Sequence, residues 1–510
     1  MDSREFGIFD KAKMQHDLAW LAPGQCFPPL NERARFHNYD INKSLFHTDI
    51  PEEYAEYIKR ISRVVGNFED VISFAVVFAY PKLMTLKMAD LVCGEYPNIT
   101  SKDDKDTDML NDIRDDVNFD AKMYSTVIDM SRYGDAIWRI YKENGKYTFT
   151  VWDPAQWIPI VSQDGTNTIL QNVLCWIENR STSLEPDYYL VAQIHDTGFY
   201  TEKTFKVSGD TWGITSLVSE KRINTGLERN AVIHLRSYEV TDTIFGDEDY
   251  MSIDAILSEL AARVAQVSII LDKHADPILT GPASLLEKDS TTGKLVFKPG
   301  KYYATQAEDN PPSYLVWDGQ LEAAFKEMEF LVDQLYILSE MGSALAGARD
   351  STFQAVSGAA MRFKMVTPLD KARRISNALT RQTRRLVSIL TSIGYEKKLE
   401  IKEITISWKD GIPDDPREEI ENAKLACGEN TLMPLKEAIM RFLKISSAEA
   451  DEWITRIDER AQELAEREQA NLDAANPEQK NAGPGPKKGQ VASAKGSKKG
   501  ITNANPVKQD

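Results

Sequence analysis

Histidine and cysteine are scarce in this 510-residue chain, with six and four copies, and neither is spaced to hold a metal. His16, His37, His47, His195, His234 and His274 form no ligand pattern, and Cys26, Cys93, Cys175 and Cys427 lie far apart with no Cys-x-x-Cys pair. A zinc site and a disulfide framework are therefore not expected, and the cysteines read as reduced, partly buried thiols. No apolar run reaches the roughly 18 residues of a spanning helix. The richest stretch, Val71 to Tyr80, is too short and ends at Pro81. Met1 to Asp10 is charged and lacks the basic-then-apolar order of a secretory signal, so folding in a cytoplasm is expected. Phosphate-binding glycine loops, a Gly-x-Ser-x-Gly elbow and a His-Glu-x-x-His helix are also missing, which removes the common nucleotide, hydrolase and metalloprotease classes. Neither a cofactor nor a catalytic set is expected.

Positive charge is lacking too: 61 Lys and Arg stand against 78 Asp and Glu, a net of −17. Such a chain is a poor monomeric clamp for nucleic acid, because phosphate contacts supply most non-specific affinity. It suits a wall along which a polyanion slides, although charge alone does not separate that from ordinary acidic solubility, the commoner cause. Asp247-Glu248-Asp249 and Asp414-Asp415 read as charges favoured at helix N-termini. The exception is the tail from Asn476, where seven lysines face Glu478 and Asp510 among Pro and Gly; it carries five net positive charges and is expected to be disordered. The rest of the chain then carries −22.

Periodicity divides the remainder. Residues 1–50 show little pattern and read as a loosely structured arm. Apolar residues at spacings of three and four begin at Pro51, with Tyr54, Ile58, Ile61 and Val65, and recur from Pro81 to Cys93, where Gly94 stops the helix. Ser101 to Asp116 is strongly acidic and reads as a solvated loop leading into a helix over Phe119 to Arg132. Tyr133-Gly134-Asp135 then breaks to strands, and Asn144-Gly145 between alternating runs marks a hairpin. Short strands are expected near 158–161, 169–178, 188–195, 199–207 and 231–236. Ile253, Ile256, Leu257, Leu260, Val264, Val267 and Leu271 stripe one face of a helix over Met251 to Lys273, about 34 Å long at 1.5 Å per residue. Leu321, Phe325, Met328, Leu331, Val332, Leu335, Leu338 and Met341 stripe a second. Between them, 278–318 reads as short strands and turns, so two rods bracket a compact tip.

A Gly- and Ala-rich segment, Gly342 to Ser357, follows and is expected to be mobile. It leads into a helix over Ala359 to Ile393 with a kink at Pro368. This helix is basic: Arg362, Lys364, Lys371, Arg373, Arg374, Arg381, Arg384 and Arg385 face only Asp370, a net of +7. A solvated face, contact with nucleic acid and pairing between subunits are all open; in an acidic oligomer we favour pairing, with Arg373, Arg374, Arg381, Arg384 and Arg385 as interface candidates. Leu399 to Trp408 alternates as a strand, and residues 416–475 read as polar, segmented helix.

The order of several short motifs resembles the portal proteins of long-tailed bacteriophages. They are Leu91-Val92-Cys93-Gly94-Glu95-Tyr96-Pro97, Tyr133-Gly134-Asp135-Ala136, Trp152-Asp153-Pro154 with Ile158-Pro159-Ile160, and Gly246 to Asp254. Further along come Ala275-Asp276-Pro277, Val356-Ser357-Gly358-Ala359-Ala360 and Trp408-Lys409-Asp410-Gly411-Ile412-Pro413. The resemblance covers roughly 50–450. It implies an α+β portal fold with wing, helical stem, small α/β clip and helical crown, assembling as a ring of twelve. In that scheme 1–50 is an N-terminal arm, 51–246 the wing, 247–277 and 319–341 the stem helices, and 278–318 the clip. Residues 342–357 form the tunnel loop, 358–415 return to the wing, 416–475 form the crown, and 476–510 are the tail. Gly342, Ser343, Gly347, Arg349 and Ser351 would then face a DNA channel, with Arg349 touching phosphate transiently. The partners implied are double-stranded DNA, the terminase large subunit, a head-tail adaptor, and the major capsid and scaffolding proteins, at a capsid vertex after assembly in the host cytoplasm, with no membrane. The rival expectations are a cytoplasmic scaffold or adaptor and a metal-dependent nuclease.

Overall fold

A computed structural model describes residues 14–49, 79–275 apart from 183–185, 210 and 242, short strands within 279–314, and residues 321–342, 363–395, 397–409, 433–443 and 447–475, with isolated helical residues at 56 and 425–426. The expected helix from Pro51 and the tail from Asn476 lie outside these residues. The chain divides into two compact units, 1–413 and 414–510.

In the first unit, helices α1 (Arg33–His47), α2 (Tyr80–Cys93), α3 (Asp104–Asp116) and α4 (Phe119–Tyr133) flank strand β1 (Asn98–Thr100). The unit continues through β2 (Asp135–Glu143), β3 (Lys146–Trp152), β4 (Trp157–Val161), β5 (Ile169–Asn179), β6 (Tyr188–His195), β7 (Phe199–Val207), β8 (Ile214–Asn224) and β9 (Val232–Arg236). The β2–β3 hairpin turns at Asn144 and Gly145, both with positive φ as that tight turn requires, and β9 pairs on the other edge of β2. Strands β4 to β8 form an antiparallel meander in sequence order. The expected strands match β4 to β7 and β9 closely. β8 was missed: most of its residues are exposed, so it lacks the apolar alternation that marks a half-buried strand.

Two expectations fail here. The arm is not loose throughout, since α1 buries Arg35, Asn38, Tyr39, Ile41, Asn42 and Leu45. Its buried face is largely polar, which hides it from a hydrophobic-period search. Nor is 101–116 a loop: α3 opens at Asp103, whose carboxylate accepts from the Lys105 amide, and it buries Leu110 and Ile113. Acidic residues in a first helical turn meet the positive end of the dipole, so this charge run starts a helix.

Helix α5 (Asp254–Ala275) and helix α6 (Leu321–Leu338) are the two rods. They pack on each other, and Arg263 of α5 bridges Glu259 on its own helix and Glu327 of α6. Between them run β10 (Leu279–Pro282), β11 (Glu287–Lys288), β12 (Leu295–Val296), β13 (Tyr302–Thr305) and β14 (Ser313–Tyr314). These form a three-stranded sheet, β13-β10-β14, and a two-stranded ribbon, β11-β12. Helix α7 (Val366–Leu390) follows, with Pro368 in its first turn. A proline there has no N–H to give the Lys364 carbonyl, so the helix is broken at Met365 instead of kinked at Pro368; the expected start over 359–362 lies outside the described residues. The Leu399 to Trp408 strand shrinks to β15 (Thr405–Ser407), paired with β1, after a short 3-10 turn at Ile401–Glu403. The second unit contains α8 (Leu435–Leu443) and α9 (Ser447–Ala475), which pack together.

The main core joins α2, α4, β2, the base of α5, the end of α6 and the inner face of α7, around Met88, Met123, Trp138, Leu257, Leu335 and Leu379. A second core lies against the meander, with Trp20, Ile158, Cys175 and Phe205. Cys93 and Cys175 are buried and free, and burial pushes the Cys93 thiol up to about 12. Chain paths cross closely at two motif glycines. A Cβ on Gly246 would stand 2.0 Å from the Gly134 carbonyl oxygen, and one on Gly134 would stand 2.5 Å from Gly246. Gly134 also ends α4 at φ +76, a position that favours glycine.

Two predictions follow from this packing. Gly246→Ala must push the two backbones apart and is expected to cost about 2–4 kcal/mol by denaturant unfolding; an unchanged midpoint would disprove the crossing. The second concerns His195, which is stacked on Tyr200 and held by burial, then by Arg139, at a pKa of about 3 against an ordinary 6.5. On acidification the unfolded chain takes up a proton here that the folded chain refuses. This site therefore loses stability as pH falls below 6.5, by about 1.4 kcal/mol per pH unit. His195→Gln should remove that slope, seen as a growing advantage over wild type between about pH 6 and pH 4; parallel stability curves would contradict it.

Candidate functional site

Two buried polar clusters fix the surface that matters. The first centres on Asp135, fully buried at the start of β2. Its Oδ1 accepts from His234 Nε2 at 2.6 Å and from the Gly246 amide at 2.9 Å, and its Oδ2 accepts from the Tyr39 hydroxyl at 3.1 Å. Beside it, Arg35 donates to Glu32 and to the carbonyls of Pro154 and Trp157, and its guanidinium lies over Tyr39 and Phe245. Burial alone would pull the Arg35 pKa down; Glu32 and Tyr39 outweigh it and hold it above its ordinary value.

The second cluster centres on Lys371 of α7. Its ammonium sits 2.7 Å from Asp249 and donates to the Ser339 carbonyl at 3.0 Å, just beyond the C-terminal end of α6. A cation suits that negative helix end. The other Asp249 oxygen accepts from Ser131 Oγ at 2.7 Å. One lysine thus ties α4, the turn before α5, the foot of α6 and α7. This corrects the reading of Asp247-Glu248-Asp249 as helix N-terminal charges: α5 starts only at Asp254, Asp249 holds Lys371, and Asp247 accepts from the Tyr238 hydroxyl.

With its inner face held this way, α7 turns its basic face outward toward β9. Between them lies a cavity of about 830 Å³. Arg229, His234, Arg236 and Tyr238 line one wall, and Arg374, Asn377, Arg381 and Arg385 the other. A second hollow of about 350 Å³ shares Arg229 and Arg385 and reaches Lys398. Arg236 is paired with Glu239, whereas Arg229, Arg381 and Arg385 have no hydrogen-bond or ion-pair partner among the described residues. Burial, followed by the like charges of Arg229 and Arg381, lowers the Arg385 pKa.

The five interface candidates thus divide. Arg373 pairs with Asp370 within its own helix, and Arg374 with Glu340 at the foot of α6. Arg381 and Arg385 meet in the groove. Arg384 lies outside it, with its Nε hydrogen unpartnered among the described residues. Of the expected channel residues only Gly342 is described, at φ +62 against Lys364 and Pro368; Ser343, Gly347, Arg349 and Ser351 lie outside the described residues. Sequence reasoning missed Arg229 and Arg236, which occupy a turn and a strand end with no pattern of their own. No group of His, Cys, Asp or Glu among the described residues is arranged for a metal, and no described helix is long and apolar enough to cross a membrane.

The sequence family described as phage portal protein, SPP1 Gp6-like, matches residues 74–466. The chain belongs to that family. The match spans the motifs from Leu91 to Pro413 and both rods. No curated protein matches. Among solved structures, the chain is similar to one named "Neck of native GTA particle computed with C12 symmetry", at 11% identity and TM-score 0.42, over 77% of this chain and 93% of that one. It is also similar to "Neck of empty GTA particle computed with C6 symmetry", at 12% identity and TM-score 0.44, over 71% and 89%.

The Lys371 cluster yields a test within this portal-family chain. Lys371→Met strands Asp249 in a site where both side chains are nearly buried, with an expected loss of about 3–5 kcal/mol in chemical unfolding. Adding Asp249→Asn should recover part of it. A double variant no more stable than the single one would refute the pairing.

Proposed function

We propose that this chain is the subunit of a portal ring at one capsid vertex, a channel through which double-stranded DNA enters during packaging and leaves on ejection. Twelve copies close the ring. The family match over residues 74–466 carries the reading. The rods support it: α6 buries Leu335 and Tyr336 but leaves Phe330 and Ile337 about 60% exposed in the single chain, an apolar face that needs a cover in water. A closed ring supplies one, because its heterologous contact sets one face of each copy against a different face of the next. The tip over 278–318 is assigned as the clip, contacting first the terminase large subunit and then the head-tail adaptor. The segment 342–357 is assigned as the tunnel loop, with Gly342, Ser343, Gly347, Arg349 and Ser351 toward the DNA. Residues 416–475 are assigned as the crown on the capsid side, where the major capsid and scaffolding proteins lie. The protein acts in the virion after assembly in the host cytoplasm and has no catalytic role; a separate ATPase supplies the packaging force. An overall acidic charge suits a channel in which DNA must slide, since it withholds the phosphate contacts that would trap it.

Native mass measurement and negative-stain imaging of the purified chain test this. The expected species is an annulus near twelve times 57.6 kDa or a closely related ring. A chain that stays monomeric under all solution conditions sinks the reading. Phe330→Asp with Ile337→Asp should shift the population strongly toward monomer while leaving helix content unchanged, measured by sedimentation and circular dichroism.

A further inference from the structure

The cationic groove has a counterpart on the same chain. On α3, Asp104, Asp108, Asp112 and Asp115 recur at spacings of four, four and three, so they share one edge of the helix. All four are exposed, and none has a side-chain hydrogen bond or ion pair among the described residues. Asp106 and Asp116 point elsewhere, to Lys397 and Lys146. From Asp104 to Asp115 the acidic edge rises through eleven steps, about 16 Å at 1.5 Å per residue. Arg374, Arg381 and Arg385 cover the same eleven-step rise on α7, with the unpartnered pair at one end and Arg229 across the cavity.

The two surfaces lie on either side of one short piece of chain. Lys397 donates to Asp106 of α3 at 2.6 Å, while its neighbour Lys398 lines the hollow that holds Arg385 and Arg229. The acidic edge and the groove are therefore distinct faces of one unit. A heterologous contact that closes by rotation needs two such faces, and no copy can satisfy both within itself.

We propose that the groove between α7 and β9 receives the acidic edge of α3 from the next copy of the chain, with Arg229, Arg381 and Arg385 meeting Asp104, Asp108, Asp112 and Asp115. This deepens the ring reading and rests on it. The contact brings opposite charges to two surfaces that each repel themselves in the isolated chain, so it specifies register and partner as well as affinity.

Two full-length variants test it by sedimentation and negative stain: Arg381→Glu with Arg385→Glu, and Asp108→Arg with Asp112→Arg. Each alone should raise the concentration needed for half-assembly at least about tenfold, with circular dichroism unchanged. Mixed in equal amounts, the two should assemble again, because the intact groove of one accepts the intact edge of the other and the two reversed surfaces also match. Rings formed by either variant as readily as by wild type overturn this contact while leaving the ring reading intact. So does a mixture of folded variants that fails to recover. A wild-type chain that forms no ring overturns both. Should the arginine variant keep its rings but lose binding to a fluorescent duplex that wild type retains, the groove is a nucleic-acid site and the proposal is wrong.

Discussion

A fully buried carboxylate must be surrounded by donors or give up its charge, and Asp135 is surrounded by three from distant parts of the chain. The Tyr39 hydroxyl comes from α1, the His234 imidazole from β9, and the Gly246 amide from the segment that leads to the first rod. Each donor lost would leave a polar group stranded in the core, at about 1–3 kcal/mol. The cluster therefore closes the N-terminal helix onto the sheet and sets where the chain leaves it. Gly246 can reach the carboxylate only because it and Gly134 both lack a side chain where their backbones touch.

From Gly246 the constraint passes along three residues to Asp249, and from there to Lys371. That pair clamps both rod bases to α7, so the rod pair and the basic helix are oriented by one ion pair with hydrogen bonds at each end. The buried face of α7 holds Ala372, Ile375, Leu379, Leu386 and Leu390 against the core, which leaves Arg381 and Arg385 facing β9. The unpaired charges of the groove are thus a consequence of how the core is tied. Among the described residues no carboxylate pairs with Arg229, Arg381 or Arg385, and the acidic edge of α3 points elsewhere.

Much of this was legible beforehand. Alternation over Tyr147 to Trp152, the Asn144-Gly145 turn and the stripe from Ile253 to Val267 each state their element locally, because burial on one face imposes a period on the sequence. The motif order carried the family for the same reason: Gly134, Gly246 and Pro154 mark backbone events that side chains cannot hide. Where burial is polar, the signal vanishes. Helix α1 buries Arg35 and Asn42, which reach the carbonyls of Pro154 and Arg132, 119 and 90 residues along the chain, and β8 is so exposed that nothing alternates.

The sequence by itself determined the two striped rods around a strand-rich tip, the basic helix after a small-residue segment, and the acidic balance of the whole, because these depend on neighbours along the chain. Only the tertiary structure decided which of the basic residues are spent. Lys371, Arg373 and Arg374 look like Arg381 and Arg385 in the sequence, yet among the described residues the first three find carboxylates and the last two do not. Charge pairing depends on distances across the fold, and those are set when Asp249 and Glu340 are brought to one end of α7 and Arg229 to the other.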